Sequence, residues 1–511
     1  MESPNLTRRD FLRAAALGAG AVLVLPGLEG CATAARSAAA RHGVLAGWEL
    51  VPGILARIRP PAFPDRDFAV TSYGAAGDGK TDCTEAFRRA VAACGEAGGG
   101  RVVVPAGRFL TGPIHLRSRV NLHVQGGGTI AFSQDPRAYL PAVFTRWEGV
   151  EVMNYSPLIY AFEATDVAVT GEGTLDGQAD NAHWWPWNGK TQYGWREGQP
   201  NQRAARTRLF EMAERGVPVA QRTFGEGGYL RPQFIQPYRC RNVLVEGVTI
   251  VNSPMWEIHP VLCQNVTVRD VKIVTHGPNN DGCDPESCRD VLVEGCLFDT
   301  GDDCIAIKSG RNADGRRLAA PSENLVIRRC RMKDGHGGVT IGSEISGGVR
   351  NVFVEDCEMD SPNLERALRF KNNAMRGGLL EHVYMRNVTI GEVSDAVLSM
   401  DLYYEEGRSG PFVPVIRDVE MRGVTSRKSE YGLYMRAYER SEISDVRVID
   451  CRFDGVARGN VTEGVQGLRF ERVSINGRPA TPTSHLAAAR SDAERLPSDV
   501  RAPAPARPSP R

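Results

Sequence analysis

Net charge is nearly absent from this sequence: 62 basic and 61 acidic side chains leave +1 over 511 residues. No global field therefore recruits nucleic acid or an acidic surface, and a polyanionic ligand would need a local basic site. A membrane span is also lacking. The one notable small and apolar run, Ala14 to Leu28, is too short and too rich in Ala and Gly to cross a bilayer. Among the twelve cysteines there is no CxxC pair and no Cys/His spacing suited to zinc. No metal or cofactor is expected. What is plentiful is glycine, 55 residues, as many tight turns between short strands require.

The N-terminus reads as an export signal. Thr7-Arg8-Arg9-Asp10-Phe11-Leu12-Arg13 supplies a basic n-region ahead of the apolar run, in the pattern of a bacterial twin-arginine signal. Ala32-Thr33-Ala34 fits a small-residue cleavage site, giving a signal over residues 1–34. Leu28-Glu29-Gly30-Cys31 has the outline of a lipoprotein box, so lipid attachment at Cys31 is the alternative. The expected destination is the periplasm or the exterior.

The middle of the chain repeats. Segments beginning at Asn242, Asn265, Asp290, Asn324 and Asn351 share one frame, with echoes at Asn387, near Val419 and at Asp445. The sixth residue after each start is Val248, Val271, Cys296, Cys330 or Cys357, at intervals of 23, 25, 34 and 27. Within each copy apolar and polar residues alternate and then meet a turn, which is strand periodicity. The period is too short for a propeller blade, and no leucine frame is present. The expectation is an all-β, right-handed parallel β-helix over residues 68–476, its coils stacked about 4.8 Å apart. Asn242, Asn265, Asn324 and Asn351 should form an internal amide ladder at a bend. Cys296, Cys330, Cys357 and Cys451, with Cys240, Cys263 and Cys288, should be stacked buried thiols rather than disulfides.

A solenoid needs covered ends. Asp82 and Glu85 have capping-box spacing, and Phe87, Val91 and Cys94 line one helical face that Gly98-Gly99-Gly100 terminates. That predicts an N-terminal helical cap. Residues 478–511, rich in Pro, Ala and Arg, read as a disordered tail. Residues 181–232 interrupt the coils. They carry Trp184, Trp185, Trp187, Tyr193, Trp195 and many arginines, suited either to stacking on sugars or to packing over the helix. With both ends covered, a monomer is expected.

Charged residues break the repeat in successive coils: Asn279-Asn280-Asp281-Gly282, Gly301-Asp302-Asp303-Cys304, Gly335-His336-Gly337 and Arg369-Phe370-Lys371. Asp281 and Asp302 are 21 residues apart, about one coil, and should sit on adjacent rungs. Alone, Gly-Asp-Asp could be a turn or part of a calcium site. Together the four segments offer a carboxylic acid, a carboxylate base, a tuning imidazole and a basic clamp for an acidic sugar. That set meets the needs of acidic-polysaccharide hydrolysis. His259 reads as a satisfied structural histidine, and His276 is left open.

In order and spacing these segments resemble the Asn-Thr-Asp, Gly-Asp-Asp, Gly-His-Gly and Arg-Ile-Lys motifs of family-28 glycoside hydrolases, the polygalacturonase family. The likeness spans roughly residues 68–475. It implies inverting hydrolysis of α-1,4-galacturonosyl linkages in pectic polysaccharide, with Asp302 as general acid and Asp281 and Asp303 holding water. His336 would support Asp302, and Arg369 and Lys371 would bind the uronate carboxylate. Asn279 and Tyr404 are further substrate contacts on this resemblance, with Tyr403 beside the latter. Asn280 and Phe370 depart from the family's Thr and Ile. Phe370 should point away from the site, since strand neighbours alternate. Rhamnogalacturonan or xylogalacturonan hydrolysis, and calcium-dependent pectate lysis on the same fold, are the alternatives. Exo-action, with the insertion closing one end of the groove, is a further expectation. Adjacent rungs place the carboxylates nearer together than the ~6.5–9.5 Å usual for inversion.

Overall fold

The computed structural model describes residues 47–482. The proposed signal, the cleavage site, Cys31 and nearly all of the tail lie outside them. The chain winds into a parallel β-helix whose coils lay strands along three long faces. The first face is a 14-stranded sheet that starts at Asp67–Ala69 and Gly100–Val104 and climbs through Arg241–Glu246, Gln264–Arg269, Arg289–Glu294, Ser322–Arg328 and Val349–Glu355. The second carries short strands such as Thr249–Val251, Lys272–Thr275 and Leu297–Thr300. The third runs from Ile235–Tyr238, through single bridges at Ile258 and Cys283, to Ile305–Ile307, Val339–Ile341, Arg366–Lys371 and Ala396–Asp401. Thr425–Arg436 is long enough to pair on both the second and third faces.

Sequence alternation sets the register. Val243 stands beside Val266, Val291, Leu325 and Val352 in successive coils, and all are buried. Burying each such side chain stabilises the stack by about 1.5–3 kcal/mol. The eleven described cysteines are buried free thiols. Cys330 lies in line with Cys296 and Cys357, as small apolar fillers would.

The asparagine ladder is real but not internal. Asn265 Nδ2 donates to Asn242 Oδ1 at 2.7 Å, and Asn351 Nδ2 donates to Asn324 Oδ1 at 3.0 Å. All four asparagines are half-exposed. Each has a φ between +57° and +61° and is skipped in the strand register, so the amides brace a left-handed kink at the strand entrance. Asn and Asp tolerate that conformation better than other side chains.

The cap helix spans Thr84–Glu96 and buries Phe87, Val91 and Cys94, as predicted. Its capping differs from the expectation. Asp82 accepts from the Thr84 amide at 2.9 Å, but Glu85 pairs with Arg88 instead of reaching back. A second helix, Val51–Arg57, was not foreseen. It lays Val51 and Ile54 on Leu292, Val326, Phe353 and Tyr384 on the outer side of the first sheet.

The insertion holds three 3-10 turns, Trp185–Asn188, Thr191–Tyr193 and Val219–Gln221, and the helix Arg203–Glu214. Trp184 is 2% exposed and packs on Tyr139, Tyr155 and Trp187, while Trp185 donates to the Ser253 carbonyl at 2.9 Å. These tryptophans therefore anchor the insertion. An antiparallel hairpin, Val143–Trp147 with Val150–Asn154, also went unforeseen. It turns at Glu148-Gly149, both at positive φ, and packs beside the helix Arg203–Glu214.

Candidate active site

Four successive coils of the third face bring the motifs together. Val339–Ile341 pairs with Ile305–Ile307 on one side and with Arg366–Lys371 on the other. Asp281, Asp302, His336, Arg369 and Lys371 all line one cleft of about 260 Å³, together with Asn279 and Tyr404. Asp303 lies at its floor, fully buried. One carboxylate oxygen from each of Asp281, Asp302 and Asp303 lies within 4.8 Å of the other two. The short spacing expected of adjacent rungs is thus present.

The glycines of the third motif are there for room. A Cβ on Gly337 would collide with Thr340 Oγ1 and come within 2.9 Å of Asp303 Oδ1. One on Gly335 would lie 2.7 Å from the Asp302 carbonyl. His336 is thereby held with Nδ1 3.0 Å from Asp302 Oδ1. Asp303 has both oxygens engaged: Thr340 Oγ1 donates at 2.8 Å, Lys371 Nζ lies at 2.6 Å and Arg369 at 3.4 Å. In this state the basic pair assigned to the substrate also serves Asp303. Phe370 points into the core, fully buried, as alternation predicted. Asn280 is a turn brace. It accepts from Thr275 Oγ1 at 2.6 Å and from the Gly277 amide, and donates to the Ser253 and Met255 carbonyls.

Asn279 is at the rim with φ +54°, and its Oδ1 accepts from Arg231 at 2.6 Å and from Asn188 at 3.3 Å. The tyrosine pair separates cleanly. The Tyr404 ring lies 5.5 Å from Lys371 Nζ and 5.9 Å from the Arg369 guanidinium, in the cleft. Tyr403 packs on Tyr438 and Arg436. His259 is fully buried between Gln236 and Glu286, a structural histidine as expected. His276 pairs with Asp299 at 3.1 Å, near Asp334.

Burial dominates the electrostatics, and countercharge decides the sign. Burial pushes Asp281 well above the ordinary carboxylate range, and the negative Asp302 and Asp284 push it the same way. Burial pushes Asp302 up too, but the His336 ring, with Lys371 and Lys308, outweighs it and holds this carboxyl below its usual range. Asp303 is lowered overall, its burial being outweighed by Lys371 and Arg369. These directions favour Asp281 as the holder of the proton that the three crowded carboxylates must share. The trio's spacing could bridge a divalent cation, although Lys371 and Arg369 already supply countercharge to Asp303.

Several cleft residues were not foreseen. The insertion contributes Asn188, Lys190, Arg203 and Arg206, and the hairpin contributes Glu148, which pairs with Arg206 at 2.7 Å. Lys308, Glu344 and Trp256 line the floor. Lys308 had a visible signal: a charged residue closing the otherwise apolar run Cys304-Ile305-Ala306-Ile307.

A β-helix with clustered carboxylates beside a basic wall defines a polysaccharide-processing enzyme. Comparison with known proteins gives the family. The model described as glycosyl hydrolases family 28 matches residues 220–469, and one described as rhamnogalacturonase A/epimerase, pectate lyase-like, matches residues 68–133. The crystal structure of a hyperthermoactive exopolygalacturonase from Thermotoga maritima is 48% identical, with a TM-score of 0.83, over 85% of this chain and 97% of that one. A Vitis vinifera protein named "Probable polygalacturonase" is 31% identical over 63% of this chain and 60% of its own length. An exo-poly-alpha-D-galacturonosidase of Dickeya chrysanthemi is 26% identical over 81% of this chain and 75% of its own. The chain belongs to glycosyl hydrolase family 28 and is a glycoside hydrolase.

Proposed function

We propose that this enzyme hydrolyses α-1,4-galacturonosyl linkages of pectin and releases terminal residues. The observation that carries this reading is the carboxylate trio set directly against Arg369, Lys371 and His336 in one cleft. Exo-action is supported by the rim, where the insertion and the hairpin close in with Asn188, Lys190, Arg206 and Glu148. Profiling products on polygalacturonate tests it. Monogalacturonate or one short oligomer should dominate from the first time point, and a ladder of mixed oligomers would refute exo-action. An unsaturated, ultraviolet-absorbing product would instead mark lysis.

The proton bookkeeping follows from the geometry. Asp302, its proton received from Asp281 within the 4.8 Å cluster, protonates the leaving glycosidic oxygen as the C1–O bond breaks. Water held by Asp281 and Asp303 attacks C1 from the other side, and its proton passes to the now ionised Asp281. The products leave Asp302 ionised and Asp281 protonated, which is the resting distribution of the free site. Asp303, fixed by Lys371, Arg369 and Thr340, orients the water, and His336 aims Asp302. The same basic pair and the Tyr404 face receive the uronate ring and its carboxylate. Inversion at C1 follows from direct attack by water. We also propose export by the twin-arginine route to the periplasm or exterior, resting on Thr7 to Leu28, and action as a monomer.

A further inference from the structure

Lys308 has no part in those roles, yet its placement is unusual. Its ammonium lies 3.8 Å from Asp281 Oδ2, 3.4 Å from Asp284 Oδ1 and 3.4 Å from Glu344 Oε2. It also sits 4.3 Å from the centroid of the Trp256 ring. The side chain is only 2% exposed at the floor of the cleft. A buried ammonium is costly unless paired, and three carboxylates and an aromatic face pair this one fully.

Asp281 is otherwise surrounded by acids. Asp302, Asp284 and Asp303 all press against its charge, and its Oδ1 accepts no hydrogen bond. Among the described residues, Lys308 is the one cation in an ion pair with it. Glu344 competes for the same ammonium and is shared with Arg311 at 3.3 Å. Glu257, fully buried beside Asp284, is itself pushed well above the ordinary carboxylate range by burial, with Asp284 acting the same way. His259, Glu286 and Arg146 form a separate buried group whose histidine feels the charge of Lys308.

Two roles are open to such a cation. Direct capture of a substrate carboxylate is disfavoured, because three protein carboxylates already surround it. We propose that Lys308 is a positioning residue that favours the ionised form of Asp281, and so returns the proton from Asp281 to Asp302 before each turnover. The proposal rests on the reading of Asp281 as base. It gives Glu344 the opposite influence, because Glu344 draws Lys308 away from Asp281.

The test is the pH dependence of kcat and kcat/KM on polygalacturonate for the full chain and two variants. In Lys308→Met, Asp281 should keep its proton to higher pH. The alkaline limb of the profile, where the proton shared with Asp302 is lost, should then move up by about one pH unit or more, with kcat reduced about tenfold and KM changed less than about threefold. In Glu344→Gln the limb should move down. Opposite displacements are not produced by a merely structural defect. An unmoved limb in both variants overturns the proposal, as does a Lys308→Met enzyme whose KM rises while kcat and the limb stay put. If Lys308→Met fails to fold, the direction of the Glu344→Gln limb decides alone. Asp281→Asn separates the two layers: an active Asp281→Asn refutes the base assignment, whereas an inactive one with unmoved limbs refutes only the role of Lys308.

Discussion

The first and third faces of this solenoid stack charge on the same coil spacing and reach opposite results. On the first sheet, register partners alternate in sign. Arg269 meets Glu246 at 2.6 Å, Arg350 meets Glu323 at 2.6 Å, Arg386 meets Glu355 at 2.6 Å and Arg417 meets Glu381 at 2.8 Å. Each pair is wholly or partly open to solvent. On the third face, Asp281, Asp302 and Asp303 stack like on like, buried, and their countercharges arrive from neighbouring coils. Solvated opposite charges add little per pair and serve register and solubility. Buried like charges cannot all ionise, and the proton they are forced to share is what hydrolysis uses. The comparison shows how one repeat geometry is structural on one side and chemical on another.

The comparison breaks most visibly at the trio itself. Asp302→Asn should lower kcat by at least about 10²-fold, as loss of a general acid does, with little change in melting temperature. Reducing-sugar release and a thermal melt check this, and near-normal kcat would remove Asp302 from the role. Next in size is Lys371→Ala. It strands Asp303 without its 2.6 Å partner in a fully buried position, so about 3–5 kcal/mol of stability should be lost along with activity. Denaturant titration measures it, and a loss confined to KM would show that Lys371 serves the substrate alone.

The pH profile sharpens the contrast. Asp281 is raised in the folded site, so the proton it shares with Asp302 is present below that raised value and is lost as pH rises through it. Activity should therefore fall on the alkaline side, at a pH above the ordinary aspartate range near ~3.9. For stability the sign runs the other way at Asp303. Its folded value is depressed, so its contribution is present above its unfolded value and is lost as pH falls through the folded one. Activity should thus fail as pH rises through the Asp281 value, and the fold weaken as pH falls through the Asp303 value. The smallest effect belongs to the first sheet. Arg350→Ala, at a position 49% exposed, should cost about 0.2–1 kcal/mol and leave kcat unchanged.

Most of the solenoid and the heart of the site could be read from the chain, because both are written as repeats. The Asn-initiated frame fixes the coil, and departures from it at Asp281, Asp302, His336 and Arg369 mark the cleft. What escaped was whatever lacks a repeat. Val51–Arg57 is held by packing on Phe353 and Tyr384 and not by its own pattern. The hairpin around Gly149 is pinned by contact with distant Arg311 and Glu344. Trp184 and Trp185 read equally well as sugar platforms, but Trp184 is buried against Trp187 and Trp185 is half-buried and tied to the Ser253 carbonyl. Lys308 ends an apolar strand, and only the fold brings Asp281, Asp284 and Glu344 around it. The asparagine ladder was read correctly as amide pairing, but the positive φ that puts it on the outer edge is a backbone property that side-chain alternation does not report.

The trio's separation bears on its mechanism, since carboxylates this near to each other are the usual arrangement for direct attack by one of them. In the proposed mechanism water, held by Asp281 and Asp303, is the nucleophile instead. The anomeric configuration of the first product, followed by NMR before mutarotation, decides between them. The β-anomer should form first from the α-linked substrate. Early accumulation of the α-anomer would contradict it and make one of these aspartates a covalent nucleophile.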